Sequence, residues 1–96
     1  MSLAVANAIS GQIGARAMLM MGAKHILGDA DSLRFRIQGC VEINLVKVRL
    51  NGRDLYDVEF MKVRGLAFRV VATCQDVYAE DLNHTIETKT GLRLSL

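Results

Sequence analysis

The sequence predicts an α+β fold: an antiparallel meander of four to five strands, with N-terminal helices and a C-terminal helix packed on one face. Three observations support this. Apolar residues recur at helical spacing near both ends of the chain, and they alternate with polar residues in the middle. Short turn-forming segments separate the alternating runs. Because strands joined by tight turns pair antiparallel, the helices must cover the apolar face of one meander.

Two short helices are expected before residue 22. The first has an apolar stripe with an interval of four residues, made by Val5, Ile9 and Ile13. Gly14 interrupts this helix, strong helix formers at 16–21 begin another, and Gly22 ends it.

Methionines dominate the second helix. Met18, Met20 and Met21 cover more than one side of it. Such residues usually belong to a core, but methionine also adapts to irregular contacts between molecules. The sequence therefore leaves open a surface for a partner or a second copy.

An alternating strand is predicted at 33–37, where apolar residues face one side and Arg34 and Arg36 the other. The preceding segment 24–27 either pairs with it across a five-residue loop or prolongs the second helix. We favour the hairpin, because residues 28–32 are dense in turn formers.

A second hairpin joins the runs 41–50 and 55–63 through the turn at 51–54. A turn centred on Arg53 sets Lys47 opposite Glu59 and Arg49 opposite Asp57, while apolar residues face each other on the other side. The alternation changes phase at 44–45, which predicts a bulge. It changes again at 60–61, after which Met61 and Val63 are expected to face inward and Lys62 and Arg64 outward.

A last strand follows Gly65, with Phe68, Val70 and Ala72 on one face. Helical spacing then predicts a helix from about Val77 to Thr90, with the apolar stripe Tyr78, Leu82 and Ile86. Gly91 is expected to end this helix in the left-handed conformation, and the tail Leu92, Leu94 and Leu96 to pack on the body.

The 96 residues are predicted to form one domain, 1–96. The longest apolar run is too short to cross a membrane, and the N-terminus lacks a charged leader, so a cytoplasmic location is expected. Cys40 and Cys74 have no CxxC partner and are interpreted as reduced thiols, although spacing alone leaves a disulfide open.

The spacing of the histidines, cysteines and glycines matches no motif for a catalytic or metal site. His25 and His84 stand in no signature with cysteine or serine, and no pair of soft ligands has zinc-site spacing. Phosphate-binding glycine motifs are absent. We therefore expect a protein that is not an enzyme and uses neither metal nor cofactor.

Basic residues are concentrated in the middle of the chain. Positions 34–69 hold eight basic and four acidic residues, whereas 70–96 hold two basic and four acidic ones. On the predicted outward sheet face, five basic residues remain without a matching acid, and they could follow a phosphate backbone: Arg34, Arg36, Lys62, Arg64 and Arg69. The alternative is a solvated structural face.

Several segments, in the same order, are similar to a family of short uncharacterised proteins of bacteriophages, prophages and other mobile elements. They are Met21-Gly-Ala-Lys-His, Leu33-Arg-Phe-Arg, Tyr56-Asp-Val-Glu-Phe-Met-Lys-Val-Arg-Gly65, Val77-Tyr-Ala-Glu-Asp-Leu82 and Thr90-Gly-Leu…Ser-Leu96. The resemblance implies a bacterial, phage-related context and carries no known activity.

Two functional hypotheses result. The first is a small non-catalytic accessory that binds DNA or RNA electrostatically through the five unmatched basic residues. The second is a module that binds a host or phage protein, or assembles with copies of itself, through Met18, Met20 and Met21 or through a sheet edge.

Overall fold

A computed structural model describes residues 3–94 and has the predicted α+β architecture. Two helices, α1 (Ala4–Ile13) and α2 (Ala15–Met20), precede the sheet. Five antiparallel strands follow in chain order: β1 (Lys24–Gly28), β2 (Ser32–Arg36), β3 (Leu45–Leu50), β4 (Tyr56–Arg64) and β5 (Ala67–Val77). A 3₁₀ turn (Ala79–Asp81) leads into α3 (Leu82–Thr90). The meander is confirmed.

The helices pack on one face of the sheet, which we call the covered face. Its core joins side chains that are fully buried: Ile9 from α1, Phe35 and Phe60 from the sheet, and Leu82 and Ile86 from α3. No helix among the described residues lies on the other face, which we call the open face. The sheet therefore has one side on which other molecules can bind.

Helix α1 approaches β1 closely because residue 28 is a glycine. A Cβ atom at Gly28 would lie 2.8 Å from the Cβ of Ala6, which is closer than such atoms approach in proteins. Segment 24–28 is a strand paired with β2, so the predicted hairpin is confirmed. A bulge at 25–26, where His25 has a φ of 52°, shifts the register between these strands.

The register of the β3–β4 hairpin agrees with the prediction at every pair. Lys47 lies opposite Glu59 and Arg49 opposite Asp57, and the apolar pairs face the core. Neither of these opposite-charge pairs forms an ion pair within 4.0 Å, however. Arg49 Nε instead lies 3.3 Å from Asp31 Oδ2, which belongs to the β1–β2 turn.

The run before β3 is a loop rather than a strand. β3 begins at Leu45, and the exposed Val41 lies outside the ladder. The phase change at 44–45 therefore marks the start of the strand and not a bulge within it.

The second phase change lies in β5 and not, as the sequence predicts, in β4. β4 alternates regularly from Tyr56 to Arg64, and the bulge lies in β5, where Val71 is the extra residue between the pairs Phe60–Ala72 and Met61–Val70. Met61 and Val63 are consequently on the open face. Lys62 and Arg64 are on the covered face, opposite to the prediction.

Helix α3 begins at Leu82, five residues later than Val77, which still belongs to β5. Tyr78 is therefore outside the helix, and 58% of it is exposed. Gly91 ends α3 with a φ of 74°, as expected. Leu94 is buried against the core, whereas Leu96 lies outside the described residues.

Candidate interaction surface on the open sheet face

Apolar side chains gather at one end of the open face. In one row Leu45, Met61 and Val70 are direct cross-strand neighbours, and in the next row Val63 faces Phe68. With Leu66 of the β4–β5 turn, these residues form what we call the open-face cluster. They bring side chains from three strands to one patch.

Met61 is the centre of this cluster. It is only 7% exposed, yet it does not belong to the core under the helices, so open-face neighbours must cover it. Phe68 is 68% exposed and Leu66 is fully exposed. The cluster thus has a buried floor and an exposed apolar rim.

The bulge at Val71 creates this arrangement. Because side chains alternate along a strand, one extra residue reverses the facing of everything on one side of it. Ala72 faces the core opposite Phe60, whereas Val70 and Phe68 lie on the open face. Without the bulge, Phe68 and Val70 would lie on the covered face.

A shallow groove of about 430 Å³ runs between the cluster and a row of charged residues. Arg34, Lys47 and Glu59 are consecutive cross-strand neighbours along one side of it. An adjoining depression of about 240 Å³ includes Arg36 and Leu27 and shares Arg34 with the groove. The apolar side chains at the bottom of the groove therefore lie next to basic side chains.

The arginines of this groove are not neutralised within the described residues. Neither Arg34 nor Arg36 has a carboxylate oxygen within 4.0 Å among residues 3–94, whereas Arg49 on the same face is paired with Asp31. Both guanidinium groups are thus free to bind a carboxylate from another molecule.

The five predicted nucleic-acid-binding residues do not share one surface. Arg34 and Arg36 lie on the open face. The other three lie on the covered face beyond the helices and form what we call the terminal basic cluster: Lys62, Arg64 and Arg69. Lys62 Nζ donates a hydrogen bond of 2.8 Å to the carbonyl oxygen of Val41 in the neighbouring loop.

Met18, Met20 and Met21 do not form a joint surface. Met18 and Met21 are buried in the core, and Met20 is half-buried. The exposed large apolar side chain of α2 is Leu19, at 81%.

No cluster of metal-binding side chains appears in residues 3–94. They contain no group of three histidine, cysteine or acidic side chains able to hold a metal ion. Cys40 and Cys74 are free and half-buried, and both histidines are exposed. None of the described helices is long and apolar enough to cross a membrane.

The main polar network lies at the other end of the sheet. Asp57 accepts hydrogen bonds from the side-chain amide of Asn51 and the backbone N–H of Asp76, at 3.0 and 3.1 Å. These bonds, aided by the charges of Arg49 and Arg53, lower the pKa of Asp57 against the opposing effect of burial. Asn51 also donates to Asp76 at 2.8 Å, so the network joins the β3–β4 turn to β5.

Comparison of the chain with family models, with curated proteins and with solved structures gave no match. The candidate surface therefore rests on its own geometry. The sequence prediction places the phase change at 60–61 in β4 and therefore misses this surface. No local pattern marks the extra residue in β5 that puts Phe68 and Val70 on the same face as Met61.

Proposed function

We propose that this protein is a non-catalytic binding module that takes a segment of a protein partner on its open sheet face. The observation that carries the proposal is the open-face cluster beside two unneutralised arginines, Arg34 and Arg36. Apolar clusters rimmed by polar residues are typical of interaction sites in monomeric domains.

The groove defines the chemistry of its partner. Phe68 and Leu66 offer apolar surface that a leucine or aromatic side chain could bury, worth about 1.5–3 kcal/mol for one such side chain. Arg34 and Arg36 favour carboxylates next to that anchor. We therefore expect the partner to present one large apolar residue flanked by aspartate or glutamate.

A random peptide library panned on the wild-type protein tests this proposal. Enriched peptides should combine an aromatic or leucine residue with acidic neighbours. Their binding, measured by fluorescence anisotropy, should fall at least tenfold in Phe68→Ser and in Arg34→Glu, which corresponds to about 1.4 kcal/mol.

A matched control comes from an exposed apolar residue elsewhere. Leu19→Ser on α2 removes a comparable exposed side chain away from the groove. It should leave peptide binding unchanged. Peptides that bind Phe68→Ser and Arg34→Glu as tightly as the wild type would contradict the proposal.

Nucleic-acid contact is a second candidate, restricted to the terminal basic cluster. Lys62 lies directly opposite Arg69 with Arg64 on the same face, and none of the three has a carboxylate within 4.0 Å among the described residues. Like charges directly opposite each other destabilise a strand pair, so a bound phosphate would relieve a repulsion.

Oligonucleotide anisotropy across a salt series tests this second candidate. Binding that falls steeply with salt and disappears in Lys62→Glu with Arg69→Glu, but persists in Arg34→Glu with Arg36→Glu, would support it. No binding of single- or double-stranded DNA at about 50 mM salt would reject it.

A further inference from the structure

An exposed aromatic and acidic segment lies where β5 turns into α3. Tyr78 is 58% exposed, and Glu80 and Asp81 are exposed beside it. The turn is held by a hydrogen bond of 2.9 Å from the Asp81 N–H to the Tyr78 carbonyl oxygen. We call these three residues the Tyr78 segment.

The Tyr78 segment is complementary to the groove on the open face. It presents an aromatic ring next to two carboxylates, and no lysine, arginine or histidine nitrogen lies within 4.0 Å of those carboxylates among residues 3–94. The groove presents apolar side chains next to Arg34 and Arg36, which also lack ion-pair partners in that part of the chain. The carboxylates of the segment could therefore pair with the arginines, and its aromatic ring could pack on the apolar side chains of the groove.

The two surfaces are too far apart to meet within one molecule. Phe68 lies near the start of β5 and Tyr78 directly follows its end. Besides the bulge at Val71, β5 has a second bulge at 75–76, between the pairs Tyr56–Val77 and Val58–Cys74. At about 3.3 Å per residue, less these two bulges, the strand separates Phe68 from Tyr78 by roughly 25–30 Å.

We propose that the Tyr78 segment of one copy occupies the open-face groove of a second copy. The inference deepens the proposed function, on which it rests, by naming the partner as another molecule of this chain. Because donor and acceptor surfaces differ, the contact is heterologous and repeats from copy to copy. Such contacts close into a ring or extend into a filament.

Two half-defective variants test the contact. Arg34→Glu with Arg36→Glu reverses the positive charge beside the groove. Tyr78→Ser with Glu80→Gln removes the aromatic ring and one carboxylate of the Tyr78 segment. All four side chains are exposed, so both variants should fold, which circular dichroism checks. By sedimentation velocity, the wild type should form species larger than a dimer as concentration rises, and each variant alone should remain a monomer.

The equimolar mixture is the decisive sample. One intact groove and one intact segment remain in it, so it should form a 1:1 heterodimer that does not grow further. A wild type that stays monomeric up to about 1 mM overturns the inference. A segment variant that still dimerises alone also overturns it, because it indicates symmetric pairing of two open faces.

The peptide experiment separates this inference from the proposed function. A monomeric wild type whose groove binds acidic, apolar peptides would leave the proposed function standing and reject only the second copy as partner. A heterodimer in the mixture together with peptide binding that Tyr78→Ser does not weaken would support both.

Discussion

The side-chain amide of Asn44 forms two hydrogen bonds with the backbone of one residue, Val63. Its Oδ1 accepts from the Val63 N–H at 2.7 Å, and its Nδ2 donates to the Val63 carbonyl oxygen at 2.8 Å. Since β3 begins only at Leu45, the side chain takes the place that a further strand residue would fill. Asn44 thereby fixes the end of β4 under the open-face cluster.

Asn44→Ala should destabilise the protein by about 1–3 kcal/mol, because it leaves the half-buried Val63 groups without partners. The Val63 amide should also exchange its hydrogen faster. Urea unfolding and hydrogen exchange measure the two effects, with the exposed Asn7→Ala as control. Unchanged exchange at Val63 would show that these bonds do not hold β4.

Gly28→Ala should destabilise the fold by about 1–3 kcal/mol, since the new methyl group would lie 2.8 Å from the Cβ of Ala6. The double variant with Ala6→Gly removes the opposing methyl group. It should therefore be less destabilised than the two single changes added together, as a double-mutant cycle of unfolding free energies would measure. Strict additivity would contradict the close contact.

Gly11→Ala should stabilise the protein by about 0.5–1 kcal/mol. Gly11 lies inside α1, its added Cβ would meet no atom within 4 Å, and alanine is the better helix former. Thermal unfolding measures the gain. A lower melting temperature would show that α1 needs a glycine here.

Local signals predicted much of this fold. The β3–β4 register follows from matching charge with charge and apolar with apolar across one turn, since a slip by one residue would reverse every side chain. Gly91 ends α3 as expected because glycine enters the left-handed conformation without strain. The 24–28 hairpin follows from turn formers at 28–32.

The candidate site depended on a feature that local patterns do not locate. When the apolar alternation of two paired strands changes phase, the extra residue can lie in either strand. Only the observed pairing shows which strand holds it. Because the bulge is at Val71, the cluster around Met61 lies on the open face, and Lys62, Arg64 and Arg69 are separated from Arg34. Tyr78 is likewise not part of the predicted helical stripe, because pairing in the sheet extends β5 to Val77 and α3 begins only at Leu82.

The free energy of unfolding should depend on pH through Asp57. Its hydrogen bonds from Asn51 and from the Asp76 N–H lower its pKa below the ordinary value of 3.8. The folded state thus prefers the carboxylate, and this contribution is present above that value and lost as pH falls through the lowered pKa.

Asp57→Asn should therefore destabilise the protein near pH 7, and the difference from wild type should shrink as pH falls below 3.8 and through the lowered pKa of Asp57. Urea unfolding across this range measures it. Asp54→Asn, in the same turn, controls for the loss of one negative charge. A difference that stays constant or widens on acidification would mean that the Asn51–Asp57–Asp76 network does not depend on the charge of Asp57. In that case the turn would be held by hydrogen-bond geometry alone.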